Sequence, residues 1–213
     1  MKIIKKKYIN FYYLKKMLKN IFIDMGNVLL RFDPEYSINK YCKTQEEKDI
    51  VRKALLQGEE WIKSDAGEIS DKDKFEKVKH KVPEKYHESL KNCAENWDEC
   101  MVPLEGAKEF CDYLKNKGYG IYVLSNASDK FYIYFPRFLP LDYFTGYVVS
   151  CDIHMLKPNE DIYKHILEKY NLKPEESLFI DDVEKNVEGA KKVHINAEVF
   201  KGDYEAIIKK YNL

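Results

Sequence analysis

Paired cysteines, a long apolar run and a net charge are all missing from this 213-residue chain, and each absence removes a class of protein. The cysteines, Cys42, Cys93, Cys100, Cys111 and Cys151, are odd in number and include no C-x-x-C pair. Neither a disulfide framework nor a zinc knuckle is therefore expected, and they read as reduced thiols of a cytoplasmic protein. No stretch approaches the roughly 18 consecutive apolar residues that cross a bilayer, and no apolar core with a small-residue cleavage site marks a signal peptide. Lysine plus arginine equals aspartate plus glutamate at 36 each, so no global field recruits nucleic acid or a strongly acidic partner. Low-complexity tracts and fixed-period repeats are lacking. So are G-x-S-x-G, G-x-x-x-x-G-K and G-x-G-x-x-G, the serine-hydrolase, P-loop and dinucleotide signatures.

What is present, 45% hydrophobic and 34% charged residues, suffices for a substantial core in one domain with an insertion or in two small ones. The first nineteen residues, MKIIKKKYINFYYLKKMLK, stand apart with seven lysines and no acid. They are expected to form an arm outside the folded unit, or an upstream start in a chain that natively begins at Met17. The alternative is a basic segment lying on an anionic membrane, suggested by Ile4, Tyr8, Phe11 and Tyr12 at helical spacing.

Strands and helices alternate after residue 100. Ala107, Phe110, Cys111 and Leu114 recur at i, i+3, i+4, i+7 before Gly118 and the strand YGIYVLSN. TGYVVSC, SLFID and INAEVF read as further strands, with helices over Tyr163, Ile166, Leu167 and Tyr170 and through Val187 and Ala190. With NIFID these make about five strands, an α/β fold with a doubly wound, Rossmann-like parallel sheet over residues 20–32 and 103–213. Residues 33–102 break the rhythm. Their charge, the apolar face of Ile50, Val51, Ala54 and Leu55, and the helix formers of 71–80 and 83–99 predict a small helical cap inserted after the first strand.

Polar residues cluster where these strands end: Asp24 after the first, Ser125 and Asn126 after the second, Asp181 and Asp182 after the fourth, and Lys157 in the loop leaving the third. Parallel sheets bind ligands at that edge. Three carboxylates brought together repel unless a cation neutralises them, and an all-oxygen set without histidine or thiolate suits Mg²⁺. With Lys157 beside them, the surroundings of Asp24 fit a dianionic phosphate better than an alkyl halide or an ester.

In order and spacing, FIDMGNVL, VLSN, the Lys157-Pro158 pair and FIDDVEKNVEGA resemble the four motifs of the haloacid dehalogenase-like superfamily, most of whose members are aspartate-nucleophile phosphatases. DMGNVLLRFD with SDAGEIS is similar to small bacterial sugar-1-phosphate phosphatases, relatives of the amino-terminal phosphatase domain of soluble epoxide hydrolases. The resemblance implies Asp24 as nucleophile, and Mg²⁺ held by Asp24, the Gly26 carbonyl and Asp182, with Asp181 as ligand or support. Ser125, Asn126 and Lys157 would hold the phosphoryl oxygens of a small phosphorylated metabolite, such as a sugar phosphate, and Asn186 would orient Asp182.

One departure matters: most phosphatases of the superfamily carry an acid-base Asp where Gly26 stands. Losing such a group costs roughly 10²- to 10⁴-fold, so slow turnover and a preference for leaving groups of low pKa are expected. A weak or inactive binding protein and a haloacid dehalogenase are the alternatives. His154 and Glu68 are candidate substitutes for the missing proton carrier, and Trp61, Tyr36 and Tyr41 are candidates to stack on substrate.

Overall fold

The computed structural model describes residues 18–213. Five parallel strands form one sheet in the order β3-β2-β1-β4-β5. They are β1 (Asn20–Ile23), β2 (Gly120–Ser125), β3 (Gly146–Val149), β4 (Ser177–Asp181) and β5 (Asn196–Val199). The chain winds outward from β1 in both directions, so the carboxyl end of β1 lies at the switch point where such sheets bind ligands.

Side chains alternate across the sheet. Ile21, Ile23, Ile121, Val123, Leu178 and Ile180 enter one apolar cluster, while Phe22, Tyr122, Leu124 and Phe179 enter the other. Both faces are dry, which is why these strands read as unbroken apolar runs.

Between β1 and β2 the chain contributes helices α1 (Glu35–Tyr41), α2 (Gln45–Leu55), α3 (Glu59–Asp65), α4 (Lys74–Val78) and α5 (His87–Asn96), joined by short 3₁₀ turns. Val51, Ala54 and Leu55 of α2 meet Ile38, Val78 and Leu90 in a third cluster, with Ile50 packed at its margin. The chain leaves and rejoins the sheet through adjacent segments, Arg31 donating to the Val102 carbonyl (2.8 Å) and Leu104 to that of Leu29 (3.0 Å).

After this segment come α6 (Ala107–Asn116), α7 (Phe131–Tyr134), α8 (Ser150–Ile153), α9 (Glu160–Lys169), α10 (Glu184–Lys192) and α11 (Tyr204–Tyr211). All the periodic positions of α6 are buried in the first cluster, and Tyr163, Ile166, Val187 and Ala190 in the second.

Two boundaries differ from those the sequence predicts. The third strand stops at Val149, because Ser125 and Val149 are the last pair of its ladder, and Ser150 and Cys151 open α8 instead. Leu18 is buried in the core and Lys19 donates to the Glu176 carbonyl (2.8 Å), so these two residues belong to the fold and not to the basic arm. The remainder of the arm, residues 1–17 including Met17, lies outside the described residues. Among the described residues no helix is long and apolar enough to cross a membrane.

Candidate active site

Asp24 extends the β1 ladder by one bond, its N–H donating to the Ile180 carbonyl at 2.9 Å. Strand pairing therefore fixes the position of its carboxylate. Across from it, Lys157 reaches in from the loop after α8. Its Nζ donates to Asp24 Oδ1 (2.7 Å), Asp181 Oδ2 (2.7 Å) and the Leu124 carbonyl (3.0 Å). With its side chain 1% exposed, the ammonium directs all three protons into the protein. Burial works against that charge, yet Asp24 and Asp181 outweigh it and hold the ammonium above its ordinary value.

The carboxylates respond in the opposite sense. Burial pushes Asp24 up to about 7, against the pull of Lys157 and with the added repulsion of Asp181. Burial also raises Asp182, opposed by a hydrogen bond from Asn27 and reinforced by Asp181. Asp24, Asp181 and Asp182 each offer an oxygen within 4.8 Å of the others. Three carboxylates so close together, relieved by a single lysine, are a group whose charge a bound cation could balance.

Their availability differs. Asp181 is fully buried and already bound by Lys157, by the Val183 N–H (2.8 Å) and by both its oxygens to Asn186 Nδ2 (3.1 and 3.0 Å). Asp24 Oδ2 and Asp182 remain to face a ligand. Asn186 thus supports Asp181, not Asp182 as the sequence suggested, because the first turn of α10 turns its amide under β4.

Ser125 lies at the cleft with its hydroxyl buried and, among the described residues, without a hydrogen-bond partner. Asn126 is spent differently: its Nδ2 donates to the Lys157 carbonyl and its Oδ1 accepts from the Lys157 N–H, each at 2.9 Å. Its side chain positions the lysine loop.

A cleft of about 230 Å³ opens over this cluster, lined by Asp24, Gly26, Ser125, Lys157 and Asp182 on the sheet side. Phe32, Trp61, Trp97, Met101 and Tyr134 form an apolar wall, and Asp65 at the end of α3 completes it. Trp61 is therefore placed at the cleft, stacked edge-on against Trp97 (5.2 Å between centroids). Tyr36, Tyr41, Glu68 and His154 are not among its lining residues. Tyr41 instead bonds Glu99, and His154 places Nδ1 on the Ala66 carbonyl at 2.8 Å.

Asn27, Asp65 and Trp97 also line the cleft, although none of them ends a strand. Asn27 adopts φ 52°, a left-handed conformation that asparagine tolerates, and its amide spans from the Phe32 N–H to Asp182. An Asn directly after the glycine of DMGNV was the available signal. Asp65 and Trp97 lie in charged helical stretches whose pattern does not distinguish a cleft-facing side chain from a solvated one.

The class of the protein follows from this parallel α/β sheet, with carboxylates and a buried lysine at its carboxyl edge, taken together with its relatives. A haloacid dehalogenase-like hydrolase family model matches residues 18–194, and the chain belongs to that family. Over 176 residues it is 24% identical to the sesquiterpene phosphatase AstK of Aspergillus oryzae, covering 82% of this chain and 86% of that protein. It is 34% identical over 83 residues to the bifunctional epoxide hydrolase 2 of Rattus norvegicus; the match covers 37% of this chain and 15% of the rat protein. Among solved structures, the wild-type HAD family enzyme BT-2542 of Bacteroides thetaiotaomicron, in complex with magnesium and inorganic phosphate, superposes with a TM-score of 0.68. That match is at 25% identity and covers 89% of this chain and 98% of that one.

Proposed function

We propose that the protein is a magnesium-dependent phosphatase that hydrolyses small phosphate monoesters, a sugar phosphate or similar metabolite, through an aspartyl-phosphate on Asp24. The observation that carries this reading is the cluster itself: three carboxylates, two of them paired with one buried lysine, beside a serine hydroxyl without a partner among the described residues. The magnesium and phosphate bound by BT-2542 and the phosphatase activity named for AstK support it.

Asp24 Oδ2, Asp182 and the Gly26 carbonyl are the oxygens suited to hold the ion, with Asp181 supporting from behind. Bound there, magnesium would supply positive charge to keep Asp24 ionised and to screen the phosphate. In the first displacement an Asp24 oxygen bonds to phosphorus and the ester P–O bond breaks, its electron pair leaving with the alcohol oxygen. Lys157 and Ser125 hold the phosphoryl oxygens, so charge on them is met by fixed donors. Water then bonds to phosphorus, the bond to Asp24 breaks, and inorganic phosphate leaves.

Residues 33–102 serve as a cap that supplies the cleft wall. At about 230 Å³ the cleft is smaller than most drug-sized ligand sites, which favours a small substrate. A dehalogenase needs no metal, and the Asp181–Asp182 pair gives it no purpose.

Phosphate release from a set of phosphorylated metabolites tests the reading. Activity should require magnesium, disappear with EDTA, and fall by roughly 10³-fold or more in Asp24→Asn. Full activity in Asp24→Asn would sink it.

A further inference from the structure

Transfer to Asp24 leaves the departing alcohol oxygen short of a proton, and the second displacement needs a group to take one from water. Gly26 supplies neither. Of the carboxylates lining the cleft, Asp24 is the phosphoryl acceptor and Asp182 belongs to the cation cluster. Asp65 is the one left, and it lines the cleft together with the aromatic residues Phe32, Trp61 and Trp97.

Three contacts at backbone level clamp its segment onto the core. The Ser150 hydroxyl, which also accepts from the Ala127 N–H (3.0 Å), donates to the Asp65 carbonyl. His154 meets the Ala66 carbonyl at 2.8 Å. Gly67, at φ 72°, lies so close to α8 that an added Cβ would stand 2.1 Å from the Cys151 carbonyl oxygen. This is the physical meaning of SDAGEIS: the glycine allows the close approach, and the approach fixes the backbone that carries Asp65 at the cleft.

We infer that Asp65 is the proton carrier of this enzyme, giving its proton to the leaving alcohol oxygen in the first step and taking one from the hydrolytic water in the second. The cycle balances: Asp65 ends protonated, as it began. The inference rests on the phosphatase reading. Burial, partly offset by Lys74 and reinforced by Asp71, pushes its carboxyl up to about 7, where both directions of transfer are accessible near neutral pH. It also removes the low-pKa preference that Gly26 alone suggests.

The test compares an alkyl ester, glycerol phosphate, with an aryl ester of low leaving-group pKa, p-nitrophenyl phosphate, in wild type, Asp65→Asn and Asp24→Asn. In Asp65→Asn, kcat/KM on the alkyl ester should fall roughly 10²-fold, and on the aryl ester by less than about tenfold. Intact-mass spectrometry should show phosphoenzyme accumulating. Gly26→Asp in the same chain should restore alkyl activity, since a Cβ at Gly26 has no atom nearer than 3.9 Å. A folding defect lowers both substrates equally, so equal losses, or none, overturn the role of Asp65. Wild type inactive on both esters, whatever the Asp24→Asn result, overturns the phosphatase reading and this inference together.

Discussion

At Asp65 a carboxyl is held partly buried near one cation, Lys74, and one further acid, Asp71, while Tyr134 and Cys151 beside it are pushed up and stay neutral. Such a placement has a stability consequence that is separable from catalysis. Its folded pKa of about 7 lies above the ordinary 3.8, so the folded state binds the proton more tightly than the unfolded state does. Below about pH 4 both states are protonated and nothing is lost. As pH rises towards 7 the unfolded chain ionises first, and the burden on the fold grows until both are ionised. Asp65→Asn is therefore expected to raise Tm near pH 8 and to leave it unchanged near pH 4. For a chain of this size each kcal/mol recovered registers as about 2–4 °C. A thermal melt series in which the gain at pH 8 is absent, or equal at both pH values, would contradict the electrostatic account.

Between elements, the helical segment and the loop after β2 are joined by a buried polar network centred on Asp71. It accepts from Lys74 Nζ (2.6 Å), from Ser128 Oγ (2.9 Å) and from Trp97 Nε1 (3.1 Å), and its own N–H donates to Asp129 (2.8 Å). Lys74 is 1% exposed and rests 3.9 Å from the centre of the Trp61 ring. Asp71→Ala leaves that ammonium buried without its carboxylate, a change that typically costs about 3–5 kcal/mol, measurable by urea denaturation. A loss below about 1 kcal/mol would mean that the network is not carried by Asp71. The same network marks where sequence reading stops. Strands buried on both faces and helices such as α6 announce themselves by period, and the strand-end polar residues follow from them. In DKDKFEKVKHK, by contrast, Asp71 and Lys74 look like any solvated charges, because burial in pairs leaves no periodic trace. Asp65 is equally hidden, as one acid in a charged helix whose pattern does not tell a cleft-facing side chain from a solvated one, and the division of labour between Asp181 and Asp182 depends on which way the first turn of α10 aims Asn186.

For the molecule as a whole, the question is whether the helical segment behaves as an independent body above the sheet. It has its own apolar cluster, but Trp97, Cys100 and Met101 at its end are buried in the same cluster as Ile21, Ile23 and Val123 of the sheet. Phe32, Trp61, Trp97 and Tyr134 form a chain of ring contacts across the seam, three edge-on and one tilted, with centroids 5.2 to 6.1 Å apart. The Asp71 network and the clamp at residues 65–67 add polar bonds beside them. Breaking this seam exposes aromatic surface and at once takes from Asp71 its bonds to Ser128 and Asp129, so partial opening has no cheap intermediate, and a single cooperative transition follows. Both tryptophans of the chain lie in the seam, which makes their fluorescence a local reporter, while far-UV circular dichroism reports the sheet and all helices together. Urea titration should give coincident midpoints for the two signals in wild type. In Asp71→Ala the fluorescence midpoint should move to lower urea than the dichroism midpoint, because only the seam has been weakened. Separate midpoints already in wild type would show that the segment opens on its own, and that the cleft wall carrying Asp65 is a moving part.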